Sequence, residues 1–63
     1  MEELMTVDEV AKFLRRSRDR VYRLMLHEQP DERLPSFKIG GSRRVRRSEL
    51  MRWIERREQQ PHA

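Results

Sequence analysis

The chain contains no cysteine, which excludes disulfide staples and the thiolate zinc sites that hold many small domains together and fits a reducing compartment. No apolar run approaches the roughly 20 residues needed to span a bilayer. The amino end is acidic rather than basic and apolar, so neither a membrane anchor nor a signal peptide is expected, and the expected location is the cytoplasm. Aromatic residues are scarce, with one Trp, one Tyr and two Phe, so much of any core must rest on Trp53. With His27 alone inside the chain there is no group of metal-ligating side chains, and neither metal nor cofactor is expected. A chain of 63 residues buries only about 60% of its unfolded surface, which leaves one domain and no room for a deep catalytic cavity. One tyrosine, an isolated histidine and carboxylates placed at helix ends do not make a nucleophile, base and orienting group, so an enzyme is not expected.

What the chain has in quantity is charge, at 41% of residues with a net +4. That charge is unevenly spread. Met1 to Leu14 carries a net −3, Arg15 to Leu26 a net +4, His27 to Pro35 a net −2, Ser36 to Ser48 a net +5, and the remainder is neutral. Thirteen of the fifteen basic residues are arginine, whose planar fork suits phosphates and guanine edges. The two basic blocks point to a polyanionic partner. Nucleic acid is favoured over membrane because neither block has a broad apolar face beside it.

Helix signals frame the first basic block. Thr6 followed by Glu9 forms a capping box, and Val7, Val10, Ala11 and Leu14 then fall on one helical face, with Phe13 able to widen it. Asp8 and Glu9 place acid at the positive end of this helix and read as capping residues. Arg15 and Arg16 separate this helix from Ser17, so the turn to the next is only about three or four residues long. Ser17 caps a second helix through Leu26, in which Asp19 suits the first turn and Val21 and Met25 face the core. Two helices so closely joined must cross steeply, the helix-turn-helix arrangement. Arg18, Arg20, Tyr22 and Arg23 on the second helix are placed to enter a DNA major groove, with Arg16 at the junction within reach of a phosphate. The same run also reads as a solvated charged face.

Pro30 ends the second helix in a polar connector, His27 to Arg33. Beyond Pro35 the period changes to two, with Phe37, Ile39 and Val45 expected to face the helices and Lys38, Arg44 and Arg46 to point outward across a turn at Gly40-Gly41-Ser42. This hairpin, with Arg43 at its tip, can lie along a DNA backbone or in a minor groove. Ser48 is expected to cap a third helix carrying Leu50, Trp53 and Ile54. The expected fold is mostly α with a small β-hairpin, a winged helix-turn-helix domain over residues 1–57, followed by a flexible tail over 58–63.

Taken in order, Thr6-Val7-Asp8-Glu9-Val10-Ala11, Ser17 to Arg23, Leu34-Pro35, Lys38-Ile39-Gly40 and Arg47-Ser48-Glu49-Leu50 with Trp53-Ile54 resemble the excisionase family of small winged helix-turn-helix proteins related to the MerR-type DNA-binding domain. The resemblance runs from about Met5 to Ile54. It implies double-stranded DNA as partner, neighbouring copies on adjacent sites, DNA bending, and contact with a tyrosine-type integrase to favour excision over integration. By position it places Ser17 as a cap with phosphate contact, Tyr22 and Arg23 toward DNA, and Arg44 in the wing. Three features depart from the pattern. Arg20 stands where a small hydroxyl residue is common, the connector is longer, and Gly41 and Ser42 replace basic tip residues, leaving that role to Arg43, Arg44 and Arg46. A small transcriptional regulator with the same surface, and a module binding an acidic protein, are the alternatives the residues leave open.

Overall fold

A computed structural model describes residues 2–59 of the chain. The elements run β1 (Leu4–Thr6), α1 (Val7–Leu14), α2 (Arg18–Met25), β2 (Phe37–Ile39), β3 (Ser42–Arg46) and α3 (Arg47–Gln59). This is a helix-turn-helix followed by a wing and a closing helix. The expected architecture is therefore present, with one strand more than the two of a hairpin.

Local chemistry explains both helix starts. The Thr6 hydroxyl accepts from the Glu9 N–H at 3.1 Å while the Glu9 carboxylate accepts from the Thr6 N–H at 2.9 Å, which satisfies two donors the first turn would otherwise leave open. The Ser17 hydroxyl does the same for the Arg20 N–H at 3.2 Å. Between the helices Arg15 takes a left-handed conformation with φ 55°. Its N–H donates to the Lys12 carbonyl at 3.2 Å and the Arg16 N–H to that of Ala11 at 3.0 Å. That pair of bonds is a Schellman motif, which normally uses glycine.

The added strand is β1, which pairs antiparallel with β3, so that the sheet order is β1-β3-β2. The ladder continues into α3, because the Arg47 N–H donates to the Glu3 carbonyl at 3.0 Å. The third helix thus leaves the strand directly. Ser48 lies inside its first turn rather than capping it, and the Ser48 hydroxyl donates to the Glu2 carboxylate instead. At its other end α3 continues through Gln59, two residues into the expected tail; residues 60–63 lie outside the described part.

Strand register corrects the expected faces. The two-residue turn Gly40–Gly41 pairs Ile39 with Ser42, Lys38 with Arg43 and Phe37 with Arg44. Paired residues share a face and neighbours alternate. Phe37 and Ile39 therefore lie with Arg44 on the outer face, opposite Val45, and Ile39 is 53% exposed. A two-residue turn fixes this parity, and only Gly40 needs a positive φ, at 62°, the pattern of a type II′ turn.

The core gathers Met5, Val7, Val10, Ala11, Val21, Met25, Leu34, Val45, Leu50 and Trp53 from every element except β2. Phe13 does not join it; it is half exposed with the Arg47 guanidinium 5.9 Å from its ring centre. The connector is ordered by its own bonds. The His27 Nδ1 accepts from the Gln29 N–H at 3.0 Å, the Arg33 Nε donates to the His27 carbonyl at 2.8 Å, and the Leu34 N–H donates to the Leu24 carbonyl at 3.0 Å. Leu34 is thereby fixed in the core with no exposed surface.

Candidate nucleic-acid interface

The second helix presents three kinds of surface. Val21 and Met25 are buried, and a helix turns about 100° per residue, so Asp19 and Arg23 sit at the middle of the opposite face. Arg20 flanks that exposed face, whereas Arg18, about 200° away from it around the helix, lies beside the Val21 and Met25 side. The arginines of this helix therefore do not form one stripe.

Arg16, Arg20 and Arg23 are brought together. They line one depression of about 480 Å³ with Arg15, Ser17 and Asp19, and the same three form a wall of a groove of about 670 Å³ whose far side is Trp53, Ile54 and Arg57 of α3. Among the described residues none of the three is in an ion pair. Four arginines against the single acid Asp19 leave this depression positive, which favours an anionic ligand there. Ser17 is committed to its capping bond through its hydroxyl oxygen, whose own proton remains free to donate.

Arg18 is set apart. Its guanidinium lies 3.0 Å from the Asp8 carboxylate of α1 and 6.0 Å from the centre of the Tyr22 ring. The Tyr22 side chain and then the Asp8 charge both favour its protonated form. Asp8 sits in the first turn of α1, where its charge suits the helix dipole as expected, and it also pairs across the helices. Nothing local in the sequence signals such a contact, because it depends on how α1 and α2 cross.

The wing divides its basic residues between two faces. Lys38 and Arg43 are directly paired on the Val45 face, and the Arg43 guanidinium donates to the Ser36 hydroxyl at 3.0 Å. Like charges opposed across two strands are destabilising unless a counter-charge is bound. Arg44 lies on the outer face and donates to the Arg43 carbonyl at 3.0 Å. Arg46 is the most engaged, 3.4 Å from Glu2, 3.8 Å from Glu49 and 4.8 Å from the Phe37 ring centre. Arg43 and Arg46 border a cavity of about 680 Å³ shared with Met25 and Leu26 at the end of α2 and with Arg33 of the connector. The wing thus meets α2 at its carboxyl end. Arg33 is a further cation at this junction that charge counting alone left among the connector residues.

A short helix-turn-helix with an exposed, arginine-lined second helix and a basic wing defines a winged helix-turn-helix domain. The chain belongs to the helix-turn-helix domain family whose model matches residues 4–58, and it is accordingly a DNA-binding domain. Neither curated proteins nor solved structures give a significant match. No helix among the described residues is long and apolar enough to cross a membrane, and no group of side chains there is arranged to hold a metal ion.

Proposed function

We propose that this domain reads a specific duplex sequence and acts architecturally, as an excisionase or recombination directionality factor that occupies adjacent sites, bends the DNA and directs a tyrosine-type integrase toward excision. The observation that supports the DNA-reading part is the grouping of Arg16, Arg20 and Arg23 around one depression on the open side of α2, where Asp19 is the one acid and none of the three arginines is in an ion pair among the described residues. In this reading Arg20 and Arg23 contact base edges from the major groove, where a guanidinium can bind guanine O6 and N7 together. Arg16, Tyr22, Lys38, Arg43, Arg44 and Arg46 hold phosphates, Ser17 adds a phosphate contact at the helix start, and Arg18 joins the base-reading set from the α1-facing edge. The recombination part is supported by the resemblance of the ordered blocks from about Met5 to Ile54 to the excisionase family.

About five neutralised phosphates give a slope of log affinity against log salt of roughly −4 to −5. The test is titration against duplexes from the protein's own genomic neighbourhood, with footprinting to count bound copies, followed by an integrase-dependent excision assay. Protected adjacent sites and stimulated excision are the expected results. Specific binding that changes promoter output but leaves excision untouched would instead identify a MerR-like transcriptional regulator using the same surface.

A further inference from the structure

Among the described residues, Arg18 is the one arginine of the second helix held in an ion pair, and its partner belongs to the other helix of the motif. Asp8 takes no part in the capping box, which Thr6 and Glu9 close between themselves, and acts on α1 only through its charge at the positive helix end, a modest contribution at an exposed site. It is 65% exposed in its side chain and Arg18 is 58% exposed, so the pair contributes little to folding. A carboxylate on the rim of a DNA-binding surface also repels phosphate. A group that adds little stability and opposes the ligand calls for another role.

That role follows from what a free Arg18 would do. It is the first residue of α2, the end of a recognition helix that approaches DNA, and an unrestrained guanidinium there can swing to whichever phosphate is nearest on any sequence. Such contacts raise affinity for all duplexes alike and dilute discrimination. Paired with Asp8 and lying near the Tyr22 ring, the group is biased toward the α1-facing edge and its charge is partly offset. We infer that Asp8 is a specificity-determining residue, which restrains Arg18 from indiscriminate phosphate binding, so that Arg18 engages DNA only where a base edge meets it with the right geometry. The inference rests on the DNA-reading role proposed for α2, but its first readout needs no cognate site.

The experiment compares wild type, Asp8→Asn, Arg18→Ala and the double variant, with Asp31→Asn as a control that makes the same charge change in the connector. Binding to a random-sequence duplex is measured across a salt series. Asp8→Asn should bind this duplex more tightly and steepen the slope by about 0.9, the contribution of one additional phosphate. Adding Arg18→Ala to it should restore the wild-type slope, and Asp31→Asn should leave the slope unchanged. Where a preferred site is known, the ratio of specific to random-duplex affinity should fall in Asp8→Asn. An unchanged slope, equal steepening by Asp31→Asn, or persistence of the effect without Arg18 would each overturn the inference. A wild-type protein without sequence preference would overturn the DNA-reading proposal instead, while the random-duplex slopes still decide the role of Asp8.

Discussion

The indole N–H of Trp53 donates to the backbone carbonyl of Glu32 at 3.2 Å. One turn further along α3, Arg57 closes on the Glu32 carboxylate at 3.0 Å and stacks 4.7 Å from the Trp53 ring centre. The closing helix is thus fastened to the connector by a buried aromatic, a main-chain hydrogen bond and a surface ion pair. These differ in strength. Trp53→Ala should cost about 3–5 kcal/mol, enough to unfold much of so small a domain. Trp53→Phe, which keeps a ring but loses the N–H, should cost about 1–3 kcal/mol, and Glu32→Gln under about 1 kcal/mol. Urea unfolding followed by circular dichroism would rank the three, and a loss for Glu32→Gln as large as that for Trp53→Phe would contradict the assignment.

The capping box predicts a pH dependence. Glu9 is held below the ordinary carboxylate pKa, first by the Thr6 N–H and then by the Thr6 hydroxyl. A carboxylate lowered on folding stabilises the fold above its unfolded pKa and loses that contribution as pH falls through the folded value. The difference in melting temperature between wild type and Glu9→Gln should therefore be greatest near about pH 7 and shrink toward about pH 3. Thr6→Ala should cost about 1 kcal/mol at neutral pH, yet leave the larger part of that pH-dependent difference in place, because the main-chain N–H that is its first cause survives the substitution.

Backbone conformation gives two substitutions of opposite sign. Arg15 adopts the left-handed region that glycine occupies at lower cost, so Arg15→Gly should stabilise the fold by up to about 1 kcal/mol. Gly40→Ala should destabilise it by about 1 kcal/mol because φ there is positive, whereas Gly41 has an ordinary φ and open space around it and should accept alanine with little change. Thermal melts of the three variants suffice as the check.

Lys38 opposite Arg43 predicts an exchange of stability for affinity. Lys38→Thr should raise stability by up to about 0.5 kcal/mol by removing the like-charge pair, while weakening binding to all duplexes and reducing the salt slope by about 1. Arg20→Ala should behave differently, costing about 1–3 kcal/mol on the preferred site and less on a scrambled one. Equal loss on both would remove Arg20 from the base-reading set.

Both helices of the motif were legible because Thr6, Glu9 and Ser17 act on backbone groups within a few residues, and because Val7, Val10, Val21 and Met25 repeat at the helical period. What escaped depends on distant partners. Leu4-Met5-Thr6 is too short to show an alternating pattern and becomes a strand only by pairing with β3. The outward position of Phe37 and Ile39 follows from the length of the turn, a geometric quantity that composition does not encode. The division of the arginines into a cluster around Arg20 and an isolated, paired Arg18 likewise appears only once α1 and α2 have crossed.

An isolated hairpin is a floppy arm, and stiffening it on contact with a ligand costs conformational entropy. Here the middle strand is zipped on both sides, by β2 and by the segment that leads into the first helix. The wing consequently meets its target already set in position, and anything that peels Leu4–Thr6 away should slacken it and slow recognition without touching a single DNA-facing side chain.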